Sequence, residues 1–208
     1  MDKSIGEKLS EILNFINDTL DLPTELEIAI GAGFTKKQFE EAKKLYYTTV
    51  ELKQLETVAE GRRMSATAAH KATKIAVKKH YARVIAIAKK LFKDDLAIVK
   101  QLELKGTRKA KYGEMCLQVF NFYSALLGNQ ALLDQLATAS ITKEYVQKGM
   151  KLYSEMEELK TAQRRNEKER AAAQDDFDAK IQQLDIWYTN TNSMINTWKK
   201  LNISPVVK

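Results

Sequence analysis

The chain has 208 residues, and its 34 basic side chains exceed its 27 acidic ones to give a formal net charge of +7. It contains only eight glycines and two prolines, which argues against an all-β fold with many turns. Good helix formers such as Ala, Leu, Lys and Glu are abundant, so we predict an all-α protein of one large domain or two small ones. The only cysteine is Cys116, which excludes an intramolecular disulfide.

The sequence lacks the features that direct a protein into or across a membrane. Glu7 and Glu11 lie where a signal peptide would have an apolar run. No apolar run approaches the length that a membrane-spanning helix needs. We therefore expect a cytoplasmic protein without a transmembrane segment, unless a targeting segment has been removed from the sequence.

Two short helices are predicted at the start of the chain. Residues 4–20 have apolar side chains at helical spacing, and Pro23 ends this helix. Thr24 and Glu27 form a predicted capping box for a second short helix. We expect Gly31-Ala32-Gly33 to break that helix in a simple turn, because no phosphate-loop signature accompanies the glycines.

A long helix follows over roughly residues 36–92, where Thr35 and Gln38 form a predicted capping box. Gly61 is its weakest point, and a break there is the alternative. We favour one continuous helix because an internal glycine costs only about 1 kcal/mol relative to alanine.

The end of this long helix leaves two alternatives. Asp94 and Asp95 either cap a further helix from Leu96 to Lys105, or the long helix continues through them. In both cases Gly106 is the predicted stop.

The second part of the chain repeats this plan. We predict a helix over residues 109–127, a short helix at Ala131–Ala137 and a second long helix over about 142–200, with Pro205 beyond its end. Within it the apolar pattern disappears over residues 160–172. This segment is either a bare helix that crosses solvent or an exposed connection between two helices.

A constant offset of 107 residues relates the two parts. Aligned identities include Thr35 and Thr142, Lys44-Leu45-Tyr46 and Lys151-Leu152-Tyr153, Glu51-Leu52-Lys53 and Glu158-Leu159-Lys160, Arg63 and Arg170, and Tyr81 and Tyr188. Chance identity between helices of similar composition is the alternative, but one register holds across the predicted loops without a gap. We therefore predict a tandem internal duplication, with helical repeat A at residues 1–107 and helical repeat B at residues 108–208.

Both long helices have an apolar stripe with the 3–4 spacing that is typical of coiled coils. The stripes are Val77, Tyr81, Val84, Ala88 and Leu91 in repeat A, and Phe177, Ile181, Leu184, Tyr188, Ile195 and Trp198 in repeat B. We expect the two stripes to pack on each other, with Tyr81 and Tyr188 largely buried between the long helices. The predicted fold is an elongated antiparallel helical bundle with two long helices and shorter helices at its ends.

The sequence has no motif that indicates catalysis, a metal or a cofactor. A di-iron bundle needs Glu three residues before an inward His, but Thr67 precedes His70 and Val77 precedes His80. One cysteine and two histidines offer no zinc ligand pair, and we expect both histidines to lie on helix flanks or in solvent. A nucleophile elbow is also missing, so we predict a non-enzymatic protein.

Ten basic residues and no acidic one occur between Gly61 and Lys93. They are Arg62, Arg63, Lys71, Lys74, Lys78, Lys79, Arg83, Lys89, Lys90 and Lys93. On a helical wheel most lie opposite the apolar stripe, whereas the matching segment 168–200 is neutral. One interpretation is a solvated surface partly offset by the acidic residues between Asp175 and Asp185. The other two interpretations are that this segment binds nucleic acid or that it binds an anionic membrane surface.

Trp187 and Trp198 lie eleven residues apart on one side of the second long helix. They are interpreted either as core residues or as a partner-binding face. We expect a non-enzymatic scaffold or protein-interaction protein that binds another protein or a second copy of itself. The alternative is a basic-face binder of nucleic acid or another polyanion.

Overall fold

The computed structural model describes residues 4–203. Over this range the chain is all-helical, with seven helices and no strand. The helices are α1 (Ile5–Asp21), α2 (Pro23–Gly31), α3 (Lys36–Leu91), α4 (Leu96–Gln101), α5 (Tyr112–Leu127), α6 (Gln130–Ala137) and α7 (Lys143–Ile203). The predicted all-α class with two long helices is therefore confirmed, since α3 has 56 residues and α7 has 61. Pro205 lies outside the described residues.

Side-chain caps explain where both long helices begin. At the start of α3 the Thr35 backbone N–H donates to Gln38 Oε1 at 2.7 Å, and the Gln38 N–H donates to Thr35 Oγ1 at 3.4 Å. This is the predicted capping box. At the start of α7 the Tyr145 N–H donates to Thr142 Oγ1 at 3.3 Å. Each cap satisfies backbone N–H groups that have no partner within the helix.

The helices next to α3 begin and end differently from the prediction. The proposed Thr24–Glu27 capping box is wrong, because α2 begins at Pro23 with Leu22 as its uncapped N-cap residue. Proline is favoured at the first helical position, where its missing N–H costs nothing. After α3 ends, Asp95 caps α4 by accepting two backbone N–H bonds at 3.0 Å. That helix ends at Gln101, before the predicted stop.

Both long helices are continuous where the sequence left a break open, at Gly61 in α3 and at residues 160–172 in α7. Gly61 lies inside α3, so the prediction of a continuous helix is confirmed. Residues 160–172 are helical within α7, and none of their side chains is buried. This stretch is therefore a continuous helix, as in the first alternative, but it is not bare, because Gln163, Asn166 and Arg170 contact α3.

The chain divides into two compact units. Unit 1 consists of Met1–Gly61 and Lys168–Lys208, and unit 2 of Arg62–Glu167. Unit 1 contains α1, α2, the first part of α3 and the second part of α7. Unit 2 contains the remaining parts of the long helices together with α4, α5 and α6.

In unit 1 the short helices and the two long-helix segments share two small cores. Leu9, Ile12 and Ile16 of α1 pack with Ala42 of α3 and Leu184 of α7. A second cluster joins Ala29, Phe39 and Ile195. Contacts between the long helices are the Phe39 and Trp187 rings at 5.5 Å, Lys53 over the Phe177 ring at 5.1 Å, and Glu60 and Arg170 at 3.4 Å.

Unit 2 has one larger core built around α5. Its buried residues include Val77, Tyr81, Val84, Ala88, Phe92, Val99, Met115, Val119, Phe122, Leu126, Leu132, Val146 and Met156. They come from α3, α4, α5, α6 and α7. The long helices also contact each other here, through Thr67 and Gln163 at 3.4 Å and through the stacked rings of His80 and Tyr145 at 4.3 Å.

The expectation that the two apolar stripes pack on each other is wrong. The α3 stripe lies in the core of unit 2 except for Leu91, which is exposed. From the α7 stripe, the residues in the cores of unit 1 are Ile181, Leu184, Tyr188 and Ile195. Tyr81 is buried, against Phe122 at 5.2 Å rather than against the other stripe. Tyr188 is only half-buried, and its hydroxyl donates to Glu11 Oε1 at 3.0 Å. Each stripe is covered by short helices together with a different part of the other long helix, rather than by the other stripe.

Candidate functional site

The excess positive charge of the chain lies in unit 2. Residues 62–167 contain 21 Lys and Arg against 10 Asp and Glu, a net charge of +11. The whole chain is +7, so unit 1 carries 7 − 11 = −4. The charge asymmetry therefore follows the division into compact units.

All ten predicted polyanion-binding residues belong to unit 2, on α3 or directly after it. Those that are exposed are Arg62, Lys71, Lys78, Lys79, Arg83, Lys89, Lys90 and Lys93. Arg63 and Lys74 are half-buried. The opposite side of the helix is the core side, because Val77, Val84 and Ala88 are buried. We call the exposed set the basic surface.

The contacts of several basic side chains leave their charge available. Arg83 lies over the ring of Tyr145 at 5.5 Å, and Lys74 lies over the ring of Tyr112 at 5.2 Å. Such cation–π contacts orient a cation without neutralising it. Asp185, one of the acids expected to offset this charge, instead pairs with Lys8 at 2.7 Å within unit 1.

A cavity of about 400 Å³ lies beside Lys78. Its lining consists of Lys78, Tyr81, Ala82 and Ile85 of α3, Arg108, Lys109 and Ala110 of the connection before α5, and Met115 and Gln118 of α5. We call it the cationic cavity. It brings Lys78 together with Arg108 and Lys109, which were not among the residues predicted from the sequence. The signal for them was the run of basic residues between Lys105 and Lys111.

Hydrogen bonds fix the connection that carries Arg108 and Lys109. Arg108 Nη1 donates to the Tyr81 hydroxyl at 2.9 Å, and its Nη2 donates to the carbonyl of Glu103 at 2.8 Å. The backbone N–H of Lys109 donates to Oε1 of the buried Gln118 at 3.2 Å. Burial raises the pKa of the Tyr81 hydroxyl, so it stays protonated as a neutral partner of Arg108.

Both histidines are buried, so the expectation that they lie on a helix flank or in solvent is wrong. His80 Nδ1 lies 2.7 Å from the Tyr123 hydroxyl, and His70 Nε2 lies 3.3 Å from the Tyr112 hydroxyl. Burial lowers the pKa of each imidazole, and nearby lysines act in the same direction. The tyrosine hydroxyls provide the partners that buried polar side chains require.

The Tyr112 hydroxyl belongs to a polar cluster that also contains the single cysteine. It donates to Glu157 Oε1 at 2.6 Å, and Cys116 Sγ donates to the same oxygen at 3.2 Å. Burial and the neighbouring Glu157 raise the pKa of the Cys116 thiol to about 11. A thiol with this pKa remains protonated at neutral pH, whereas a nucleophilic cysteine needs a lowered pKa.

The two tryptophans are half-buried and pack within unit 1. The Trp187 ring lies 5.5 Å from Phe39 and 6.2 Å from Phe15. The indole of Trp198 fills the space into which a Cβ at Gly31 would extend. Core contacts therefore occupy much of both rings, and their role as a partner face stays a prediction.

Residues 4–203 contain neither a candidate metal site nor a candidate membrane span. No group of three or more His, Cys, Asp or Glu side chains in this range could hold a metal ion. None of the helices in the same range combines the length and apolar character needed to cross a membrane.

Comparison with known proteins gives no family model that matches the chain, and no curated protein or solved structure that resembles it.

Proposed function

We propose that the chain is a non-enzymatic helical binding protein whose unit 2 binds nucleic acid through the basic surface of α3. The main support is the net charge of +11 on unit 2, with eight of the ten predicted cations exposed, seven of them on α3 and Lys93 directly after it. Neutralised phosphates release their counter-ions, which is the main driving force when a basic protein surface binds nucleic acid.

The burial of the apolar stripe favours nucleic acid over a membrane. A basic amphipathic helix binds a membrane by inserting its apolar side between the lipids. In α3 this side is occupied, because Val77, Val84 and Ala88 are at most 1% exposed in the core of unit 2. The exposed lysines of α3 remain accessible and can contact phosphates. Phosphate contacts carry no sequence information, so the binding should be insensitive to sequence.

We further propose that the architecture arose by tandem duplication of residues 1–107 and 108–208, with the two long helices antiparallel. Three helix starts support the duplication, because α1, α2 and α3 begin at residues 5, 23 and 36, and α5, α6 and α7 begin at residues 112, 130 and 143. Each difference is 107, the offset of the sequence identities. The contacts support the antiparallel arrangement, because partners on α7 fall from 187 to 170 as residues on α3 rise from 39 to 60.

The duplication would explain why only one unit is basic. The basic segment of α3 corresponds to residues 168–200 of α7, which are neutral and belong to unit 1. Two related units would thus share a helical plan but differ in surface charge. Under this proposal only unit 2 binds polyanions.

A scaffold that binds a protein or a second copy of the chain is the second candidate. Its support is an exposed apolar group on α3 in unit 1, formed by Tyr47, Leu55 and Val58, each at least 51% exposed. Their spacing places them on one side of the helix, and clustered exposed apolar side chains mark interaction surfaces. A sedimentation coefficient that stays constant with rising protein concentration would remove self-association as the explanation.

Charge reversal tests the nucleic-acid proposal. Combined Lys78→Glu, Lys79→Glu and Arg83→Glu substitutions should abolish binding to unrelated DNA and RNA fragments, measured by fluorescence anisotropy at low salt. The matched control reverses Lys36, Lys37 and Lys44, which are exposed on the same helix but lie in unit 1. We expect the control to keep most of the affinity. Equal losses in both variants, or binding to anionic liposomes but to no nucleic acid, would contradict the proposal.

A further inference from the structure

The cationic cavity differs from the open basic surface because it combines an apolar floor with a charged rim. Its volume of about 400 Å³ falls in the range of about 300–1,000 Å³ that is usual for small-molecule sites. Tyr81, Ile85 and Met115 in its lining are each at most 6% exposed, and they belong to the core of unit 2. Lys78 and Lys109 are exposed at its edge. The cavity therefore has room for a ligand that combines an apolar body with a charged head group.

The charges around the cavity are unbalanced. Among the described residues that line it, Lys78, Arg108 and Lys109 are cations and none is a carboxylate. Lys109 lies 3.9 Å from Glu114, and both side chains are at least half exposed, so solvent screens that pair. Glu103 offers Arg108 its backbone carbonyl, and its exposed side chain is not part of the lining.

Arg108 is held in place by contacts that do not cancel its charge. Its hydrogen bonds go to the Tyr81 hydroxyl and to the carbonyls of Glu103 and Leu104, which are neutral oxygen atoms. Gln118 fixes the next residue through the Lys109 N–H. Because the structure already holds this connection, an incoming anion would not have to order it, and preorganisation of this kind favours binding.

We propose that the cationic cavity binds one small organic anion that has an apolar body. Its carboxylate, sulfonate or phosphate group is held by Lys78, Arg108 and Lys109, since guanidinium and ammonium groups form strong charge-assisted hydrogen bonds with such oxygens. The apolar body lies against Tyr81, Ile85 and Met115. This inference does not depend on nucleic-acid binding, since it concerns the cationic cavity and a small ligand.

The test uses the full chain and 8-anilinonaphthalene-1-sulfonate, which joins apolar rings to one anionic group. Fluorescence titration and calorimetry should give saturable binding of one probe per chain. Lys78→Ala and Lys109→Ala should each weaken it by about tenfold, the lower end of the effect of losing one hydrogen bond to a charged group. Lys89→Ala is the matched control, because Lys89 is also exposed on α3 but does not line the cavity. That variant should bind as the unaltered protein does.

Two further measurements separate the pocket from other ways of binding the probe. N-phenyl-1-naphthylamine has the same rings without the sulfonate and should bind much more weakly. Ala82→Phe should block the probe without changing any charge, because Ala82 is an exposed residue that lines the cavity. Octanoate and octyl phosphate share an eight-carbon skeleton and differ in head group, so the one that displaces the probe at the lower concentration identifies the preferred head group. Unchanged thermal melting must accompany each variant.

Equal probe affinity in Lys78→Ala, Lys89→Ala and the unaltered protein would overturn the inference, as would non-saturable binding. The two proposals can also fail separately. Nucleic-acid affinity should decrease to a similar extent with Lys78→Ala and Lys89→Ala, whereas the probe should respond to Lys78→Ala alone.

Discussion

His80 is a buried imidazole whose surroundings favour its neutral form. It contacts Tyr123 and Tyr145, and Arg83 and Lys148 are the nearby cations. Burial is the largest cause of its lowered pKa, and the two cations add to it. The Nε2 atom has no hydrogen-bond partner among the described residues. Protonation would therefore place an uncompensated charge in the core of unit 2, at a cost to the folded state.

This environment predicts a loss of stability in mild acid. The unfolded chain binds a proton at His80 with a pKa of about 6.5, whereas the folded chain does so only at lower pH. Between these two values the unfolded state holds more protons, so the free energy of unfolding falls as the pH falls. The contribution is complete above about pH 6.5. Urea unfolding from about pH 7.5 to about pH 5 should show this decrease, and His80→Gln should make it smaller.

His70 acts in the same direction, since its pKa is also lowered by burial. Carboxylates titrate at lower pH, and they contribute equally to the pH dependence of the unaltered protein and of a histidine variant. An identical pH dependence of unfolding in the unaltered protein and in a variant with both histidines changed to glutamine would contradict the buried, neutral imidazoles.

The sequence alone did not predict these histidine environments, for a physical reason. The partners of His70 and His80 are Tyr112 and Tyr123, which lie on α5 and are more than 40 residues away. Helical spacing identifies the side of a helix that is buried but not which hydroxyl will meet a polar group there. Arg108 was missed similarly, because its partner Tyr81 comes from another helix.

At the scale of single elements, two glycines inside the long helices provide a matched comparison. Gly149 of α7 lies against the buried ring of Tyr123, with no room for a Cβ, whereas a Cβ at Gly61 of α3 would meet nothing within 4 Å. Gly149→Ala should therefore destabilise the protein by about 1–3 kcal/mol, the usual cost of overpacking a core. Gly61→Ala should stabilise it by up to about 1 kcal/mol through helix propensity.

Urea unfolding at neutral pH measures both changes. A gain in stability from Gly149→Ala would mean that Tyr123 does not occupy the space beside it. A loss from Gly61→Ala would mean that α3 is not helical at this position, because alanine is unfavourable only where the backbone leaves the helical conformation.

The elements could be predicted well from the sequence, and their packing could not. Both long helices were predicted because Thr35 and Thr142 cap them and because the long pattern of α3 contains a single glycine. The partners of their apolar stripes were predicted wrongly. A stripe such as Val77 to Ala88 indicates only that one side of a helix is buried, and α5 covers it as well as another long helix would.

For the whole molecule, the basic run between residues 61 and 93 was visible in the sequence, but its place in a unit of charge +11 required the structure. Unit 2 adds the basic residues of the connection before α5 and of the first part of α7 to that run. The cationic cavity also depends on this assembly, since Lys78 and Arg108 are 30 residues apart in the chain.

The salt dependence of nucleic-acid binding by the full chain tests the central claim most directly. The logarithm of the association constant should fall linearly with the logarithm of the salt concentration, with a slope of about −0.9 for each phosphate neutralised on duplex DNA. We expect a steep slope that is the same for unrelated sequences. Its magnitude should decrease by about 1 for each of the substitutions Lys71→Ala, Lys78→Ala and Lys89→Ala. A slope near zero, or one that these substitutions leave unchanged, would contradict binding through the basic surface.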